Sequence, residues 1–574
     1  MPTSHNLELA RVFSEIADFL EIKQESTFRI NAYRRAARAL ESLGEDVATI
    51  AQRGDLRKVG GIGAKLAEKI EEYLKTGAVG YHQELQRELP RGLSELMTIP
   101  EVGPKTARLL FDHLGIADMD ALERAALAGQ IRELPRMGAK TEANILRGIE
   151  RRRRQGTRHP LGAVLPYAHA IEDALRRAPG VEALALAGSL RRMRDTIADI
   201  DLVVATRAPE AVMDTFVGLP QVGEVLSRGP TRSSVILGRL GVQCDVRAVE
   251  PDAYGAALQY FTGSKDHNVQ LREMGVRRGL KINEYGVFTL ADDRRIAGRT
   301  EEEVYGAVGL PWVPPEIREG QGELELAQRG ALPALVALED IRGDLHMHTT
   351  WSDGQDAVEA MARAAKARGY AYVCVTDHSQ SLKFAGGVTV DALREHVRTV
   401  AEVSERVGIR VLIGAEVDIL ADGSLDYPDD VLASLDLVIG SVHSRMQMTR
   451  EALTRRVVRA LEHPHLDVLG HPTGRLVGER EPMDLDMEAV VDVAHQTGTV
   501  LEINASPERL DLRDTHVRLA RDRGVLFEIG SDAHRKEHFA QIEYGVGTAR
   551  RGWVEPKDVI NAWPLATLLD FLRG

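Results

Sequence analysis

Asp199 and Asp201, one residue apart, lie just downstream of Gly188-Ser189 and a basic run, Arg191-Arg192-Met193-Arg194. Two carboxylates this close repel each other unless cations lie between them, and Mg²⁺ prefers carboxylate together with phosphate oxygens. The residues before Gly188, Ala183-Leu-Ala-Leu-Ala187, read as a strand, and Gly188-Ser189 opens a short helix. Backbone N–H groups at a helix start bind phosphate. Arg191 and Arg192 add charge suited to a polyphosphate tail. Asp199-Ile-Asp-Leu-Val-Val204 reads as the next strand, where alternation puts both aspartates on one face. A third carboxylate, Asp245, sits in the strand-like Val242-Gln-Cys-Asp-Val246. Three carboxylates around two ions suit an in-line displacement at phosphorus, in which attacking and leaving oxygens must both be stabilised. The pattern points to nucleotidyl transfer. The plain alternative is a surface turn ending in two solvated acids, and the Gly-Ser pair upstream argues against it.

A second set of chemistry-bearing residues lies in the C-terminal half. His346 and His348 share one side of a strand, and Asp353 follows in the next loop. His378, Glu416, His443, His471, Asp532 and His534 come later, each at the end of an apolar run. Strands alternate here with helices of about 10–15 residues, the pattern of a parallel α/β barrel. Such barrels build their sites at strand ends. One buried histidine is usually structural; six histidines and three acids, all at strand ends, are not. Imidazole with carboxylate suits Zn²⁺, Mn²⁺ or Fe²⁺. Nine ligands are too many for one ion and enough for three.

The elements upstream are helical. Leu9, Val12, Phe13, Ile16, Phe19 and Leu20 follow helical spacing. Val59-Gly60-Gly61-Ile62-Gly63-Ala64-Lys65 then has the form of a helix-hairpin-helix turn. Its glycines allow a tight turn and close approach to a phosphate, which binds a nucleic-acid backbone without reading sequence. Similar units recur at 99–105, with Gly103 and Lys105, and at 134–140, with Gly138 and Lys140. These copies lack the first glycine, and Glu101 in that position repels phosphate, so the second hairpin is expected to bind weakly or only to pack. Lys65 and Lys69 lie one helical turn apart on one face. The run Arg151–Arg154 marks a boundary and reads either as a phosphate contact or as the charged end of a helix.

At 574 residues the chain has room for three or more domains. It has no apolar run of membrane-spanning length and no signal-peptide pattern, so no membrane partner is expected. Cys244 and Cys374 lie in apolar runs and read as core thiols of a reducing, cytoplasmic protein. The net charge of −13 is uneven: residues 1–316 carry 44 basic against 44 acidic side chains, and residues 317–574 carry 29 against 42. Nucleic-acid contact in the first part must therefore come from local basic patches. The acidic, His-rich remainder suits multivalent cations.

The stretch Gly188-Ser-Leu-Arg-Arg192 with Asp199-Ile-Asp201 resembles the motif of the family X DNA polymerases, the group that includes DNA polymerase beta. The match continues at Tyr260-Phe-Thr-Gly-Ser264 and at Lys281-Ile-Asn-Glu-Tyr285. There is one departure: Ala198 stands where the family usually has glycine, which is expected to slow catalysis or make it more selective. The nine C-terminal ligand positions resemble those of the PHP (polymerase and histidinol phosphatase) phosphoesterase domain, with none missing. Together these features resemble bacterial family X polymerases that carry a C-terminal PHP domain.

The resemblance implies a multidomain α/β and α protein with six segments. These are a helical DNA-binding, lyase-like domain (1–80), a helix-hairpin-helix domain (81–154), a beta-like nucleotidyltransferase palm (155–250), a nucleotide-selecting domain (251–316), a linker (317–338) and a PHP-type (β/α)7 barrel (339–574). It implies Asp199, Asp201 and Asp245 as catalytic ligands of Mg²⁺ or Mn²⁺. It implies Gly188, Ser189, Arg192, Tyr260, Phe261, Gly263, Asn268 and Arg272 as contacts to a deoxynucleoside triphosphate. DNA contacts are expected at Gly61, Gly63, Lys65, Gly103, Lys105, Gly138 and Lys140. Lys69 matches the family's lyase nucleophile, although phosphate binding beside Lys65 remains the other reading. The implied function is gap filling in base excision repair. A metal-dependent 3′→5′ exonuclease and abasic-site cleavage are implied alongside it, in a monomer acting on gapped or nicked DNA at the nucleoid. The rival reading is an end-processing nuclease whose polymerase half only holds gapped DNA.

Overall fold

A computed structural model of the chain describes residues 4–23, 25–41, 47–88, 93–97, 99, 101–135, 137–155 and 158–573. It divides into two compact units, Met1–Thr157 and Arg158–Gly574. The first unit is helical. Its opening helix, Ser4–Ile22, buries Leu9, Val12, Phe13, Ile16, Phe19 and Leu20, the face that the helical spacing marks as apolar. The three hairpin turns lead into helices Ala64–Thr76, Pro104–Leu114 and Ala139–Gln155. Pro100, Arg136 and the side chains of Arg151–Arg154 lie outside the described residues.

The second unit holds a palm, a small antiparallel domain and a barrel. The palm is a five-stranded sheet in the spatial order Val181–Leu186, Asp199–Thr206, Gln243–Val249, Arg232–Leu237, Val222–Arg228. The helix Leu161–Arg176 packs its apolar stripe, Leu161, Val164, Leu165, Ala168, Ile171 and Leu175, into the same core as Ile200, Leu202 and Val204. That core also takes in Val477, Leu510 and Tyr544 from the barrel domain, so palm and barrel share packing. The small domain carries the antiparallel sheet Leu280–Asn283, Gly286–Thr289, Arg295–Ala297.

In the barrel, seven parallel strands lie side by side in chain order: Gly343–Asp344, Tyr372–Val375, Arg410–Asp418, Leu437–Ser441, Val468–Leu469, Val500–Glu502 and Phe527–Glu528. Each is followed by a helix, beginning with Val358–Ala367 and ending with Ile542–Arg551. The ends of the sheet meet: Met347 bridges Ala533, and the His348 N–H donates to the Ala533 carbonyl at 2.8 Å. The short apolar strands are buried on both faces, as parallel strands covered by helices must be. Segment 317–338 is packed rather than loose. Arg318 is fully buried against Glu301, and Leu324, Ala327 and Val336 join apolar cores. Cys244 and Cys374 are buried free thiols.

Two candidate active sites

In the palm, Asp199 and Asp201 are half-exposed while Ile200 between them is buried, so the strand presents both carboxylates on one face. The strand Gln243–Val249 runs parallel alongside with Asp201 opposite Asp245, so the third carboxylate shares that face. Asp245 is held by Arg232 at 3.3 Å and by the Gln243 amide at 3.1 Å. Burial, then the charges of Asp199 and Asp245, push the Asp201 carboxyl up to about 7. A buried carboxyl flanked by two further carboxylates forms a site that a divalent cation relieves.

Gly188 makes the turn above them with φ +60, and a Cβ there would lie 2.5 Å from Asp201 Oδ2. Ser189 is half-buried on the helix that Gly188 opens. Arg191 is committed to a two-point pair with Glu301, at 2.8 Å on each nitrogen, a carboxylate it shares with the buried Arg318. Arg192 pairs with Glu319 at 3.1 Å and donates to the Thr262 carbonyl. Gly263, at φ +70, brings its backbone against Arg192 Nη1. Tyr260 and Phe261 pack edge to face, with Arg247 over the Phe261 ring at 4.2 Å. Asn268 is tied at both ends of its amide, accepting from Gln259 and donating to the Tyr260 carbonyl, both at 2.7 Å. Arg272 is exposed one turn further along. The sequence reading missed Glu319 and Arg551. The Arg551 guanidinium reaches from the barrel domain to the Arg192 carbonyl at 2.7 Å and to Glu319 at 2.9 Å. No local pattern could reveal a contact spanning that much chain.

At the barrel rim Glu416 is the hub. Its Oε2 faces His346 Nε2 and His348 Nε2 at 3.5 Å each and His378 Nδ1 at 2.9 Å. Its Oε1 faces His471 Nε2 at 2.8 Å and His443 Nε2 at 3.2 Å. Asp532 lies 3.2 Å from His348 Nε2 and 3.6 Å from His534 Nδ1. Asp353 lies 3.5 Å from both His378 and His534. Within this cluster three sets bring their ligand atoms within 4.8 Å of one another: His348, Asp353, His378 and His534; His346, His348 and Glu416; and His378, Glu416 and His443.

The donor chemistry fits metal. His346 Nδ1 and His443 Nδ1 face the carboxylates of Glu502 at 2.6 Å and Asp418 at 2.7 Å. Such partners fix the tautomer and aim the other nitrogen's lone pair inward. Inside, those lone pairs meet carboxylate oxygens, an arrangement that only a cation or protons can satisfy. Among the described residues, Glu416 Oε1, His348 Nδ1 and His378 Nδ1 are buried without a hydrogen-bond partner. Without metal, burial opposes charge on His378, but Glu416 and Asp353 outweigh it and hold the imidazole up at about 10. Burial, then His534 and His378, push His348 down to about 4. Against burial, His443, His378 and His346 hold Glu416 well below the usual carboxylate range. Asp532 adopts φ +52, a backbone cost for a non-glycine residue that is typical of functional sites. The cluster is a metal-binding constellation.

Several supporting residues escaped the sequence reading. Asp418 follows Glu416 by two on one strand, and Glu502 ends an apolar strand, so the rule that found the ligands could have found both. Asp377 accepts from the Thr349 N–H and from the Thr349 and Ser352 hydroxyls, anchoring the loop that carries Asp353. Arg480, Arg509 and Phe384 line the cavity of about 240 Å³ above the ligands, and no spacing signals them.

In the first unit Gly61 takes φ +87, and a Cβ there would stand 3.3 Å from the Arg35 carbonyl. Glu101 holds the corresponding left-handed position at φ +73, with its carboxylate bonded by the Asn144 amide at 2.8 Å. Gly63 and Gly103 cap their helices without any side-chain bond to the first N–H groups. Gly138, Lys65, Lys105 and Lys140 are exposed. Lys69 is half-buried, with Nζ 4.6 Å above the Tyr81 ring.

Among the described residues no helix is long and apolar enough to cross a membrane. Residues 4–79 match the helix-hairpin-helix domain profile, and 93–151 match a SAM-like helix-hairpin-helix tandem. Residues 257–319 match the DNA polymerase beta thumb, and 344–506 the PHP domain. The chain is 38% identical over 571 residues, 99% of both chains, to the DNA polymerase/3′-5′ exonuclease PolX of Bacillus subtilis (strain 168). Over 40% of its length it is 30% identical to a probable phosphatase of Syntrophotalea carbinolica, covering 95% of that protein. These matches, falling on the carboxylate-bearing palm and the histidine-rich barrel, identify the chain as a member of the family X DNA polymerases that carry a C-terminal PHP domain.

Proposed function

We infer that the chain is a DNA-directed DNA polymerase and a metal-dependent 3′→5′ exonuclease, filling short gaps in DNA during base excision repair. The observation that carries this reading is that two acid-rich centres are built from different sheets, one around Asp201 opposite Asp245 and one around Glu416. In the first, Gly188 and Ser189 present backbone N–H groups to the triphosphate, and Arg192 exchanges Glu319 for a phosphate. Tyr260, Phe261 and Gly263 receive the sugar. Asn268 and Arg272 contact the new pair, Asn268 after release from Gln259. Asp245 also takes or orients the primer 3′-hydroxyl proton. Asp199, Asp201 and Asp245 would hold Mg²⁺ or Mn²⁺, and the nine rim residues up to three Zn²⁺, Mn²⁺ or Fe²⁺ ions. When bound, these ions supply charge neutralisation at the reacting phosphate and acidify water. In the nuclease, Arg480 and Arg509 hold the phosphodiester, and Asp418 and Glu502 keep His443 and His346 oriented. The enzyme is proposed to act as a cytoplasmic, nucleoid-associated monomer. Residues 1–80, 81–154, 155–250, 251–316 and 339–574 are proposed as its working domains, with the packed segment 317–338 between the last two.

Thorough chelation abolishes digestion of a single-stranded 3′ end, and Mn²⁺ restores it; digestion that persists in chelated protein counts against the reading. Gly188→Ala drives a methyl into Asp201 and strains the turn. It lowers gap filling by roughly 10–100-fold, as misplacement by about 1 Å does, and spares digestion of a 3′ end; equal loss of both contradicts the assignment. Lys69 is proposed to attack the sugar aldehyde of an abasic site. Borohydride then traps a covalent adduct that disappears in Lys69→Ala; an undiminished adduct moves the role to Lys65 or another amine.

A further inference from the structure

Phe384 stands at the mouth of the rim cavity, 87% exposed, on the short turn Lys383–Ala385. Its backbone is firmly held. The loop leaves the sheet at the ligand His378 and returns to it, with the Val388 N–H on the His378 carbonyl at 2.8 Å. The Ser379 N–H bonds the Glu416 carbonyl at 2.9 Å, and the Ser381 hydroxyl bonds Asp418 Oδ2 at 2.7 Å. A Cβ on Gly387 would lie 2.0 Å from the Ser379 carbonyl oxygen, so the loop closes against itself. The ring is thus carried at a set distance from the ligands and is itself unpacked, leaving its faces open beside the cavity. Arg480 and Arg509 line the same cavity and offer positive charge.

We propose that Phe384 is a substrate-positioning residue that stacks on the base of an unpaired 3′-terminal nucleotide while its phosphodiester lies among the ligands. The proposal rests on the nuclease reading of the rim site. Every base has a π-face, so one ring gives a hold that tolerates any sequence. A paired terminal base is already stacked in its duplex and must fray before the ring can take it. The site therefore selects single-stranded, frayed or mismatched 3′ ends.

The test compares wild type, Phe384→Ala and Phe384→Trp on a single-stranded oligonucleotide with Mn²⁺, using ends that carry a normal or an abasic terminal residue. Phe384→Ala loses roughly 5- to 100-fold in kcat/KM on the normal end, chiefly through KM, and Phe384→Trp retains it. On the abasic end wild type shows the same loss and Phe384→Ala adds nothing to it. The variant also loses the preference for mismatched over paired ends, while gap filling is unchanged. An unaltered kcat/KM in Phe384→Ala overturns the proposal, as does an equal loss on normal and abasic ends. Wild type that digests neither end, with His346→Ala no different, fails the nuclease reading instead.

Discussion

Asp201→Ala abolishes nucleotide addition, by about a thousandfold or more, and leaves digestion of 3′ ends intact. The scale follows from what the carboxylate does. Charge stabilisation of the reacting oxygens is usually the largest single contribution to such a rate, and loss of one group that provides it costs about 10²–10³-fold. Asp201 sits between Asp199 on its own strand and Asp245 opposite, so its loss separates the other two ligands. Burial and those neighbours raise its proton affinity to about 7, so replacing it with a neutral side chain relieves repulsion, and the palm stays folded. The check is extension across a one-nucleotide gap, read together with digestion of a single strand. Loss of both activities in folded protein would contradict separate sites, and survival of extension would favour an end-processing nuclease that only holds gapped DNA.

Glu416→Ala does the reverse. Five imidazoles point at its two oxygens, with three on Oε2 and two on Oε1. Removing it leaves buried imidazoles without their counter-charge and takes a ligand from two of the three sets. Digestion of 3′ ends falls by about a thousandfold or more, metal content drops, and gap filling continues. Full exonuclease activity in this variant would place the nuclease elsewhere and reduce the barrel to a structural platform.

The chemistry was readable where it is local. Gly188, Ser189, Asp199 and Asp201 fall within one strand–turn–strand unit, and period-two alternation is enough to put both acids on one face. The barrel ligands were readable for a similar reason: each ends a short buried strand, and parallel strands bring their ends to one rim. The remaining features depend on pairings that no spacing encodes. Arg191 looks like a phosphate arginine, yet Glu301, 110 residues away, holds it in a two-point pair. Glu319 and Arg551 meet at Arg192 only once palm and barrel pack together. Segment 317–338 reads as a linker, but Ile317, Leu324 and Ala327 are buried and pack into the core of the small domain. Phe384, Arg480 and Arg509 lie on loops, where side-chain direction is set by turns rather than by periodicity.

The central claim is that one chain lengthens and shortens DNA 3′ ends at two separate sites. It is tested most directly with a gapped duplex bearing a label on the primer, incubated with deoxynucleoside triphosphates and Mn²⁺. Wild type gives both longer and shorter products, Asp201→Ala gives only shorter ones, and His346→Ala gives only longer ones. Loss of both product classes in either variant, with the protein folded, would contradict it.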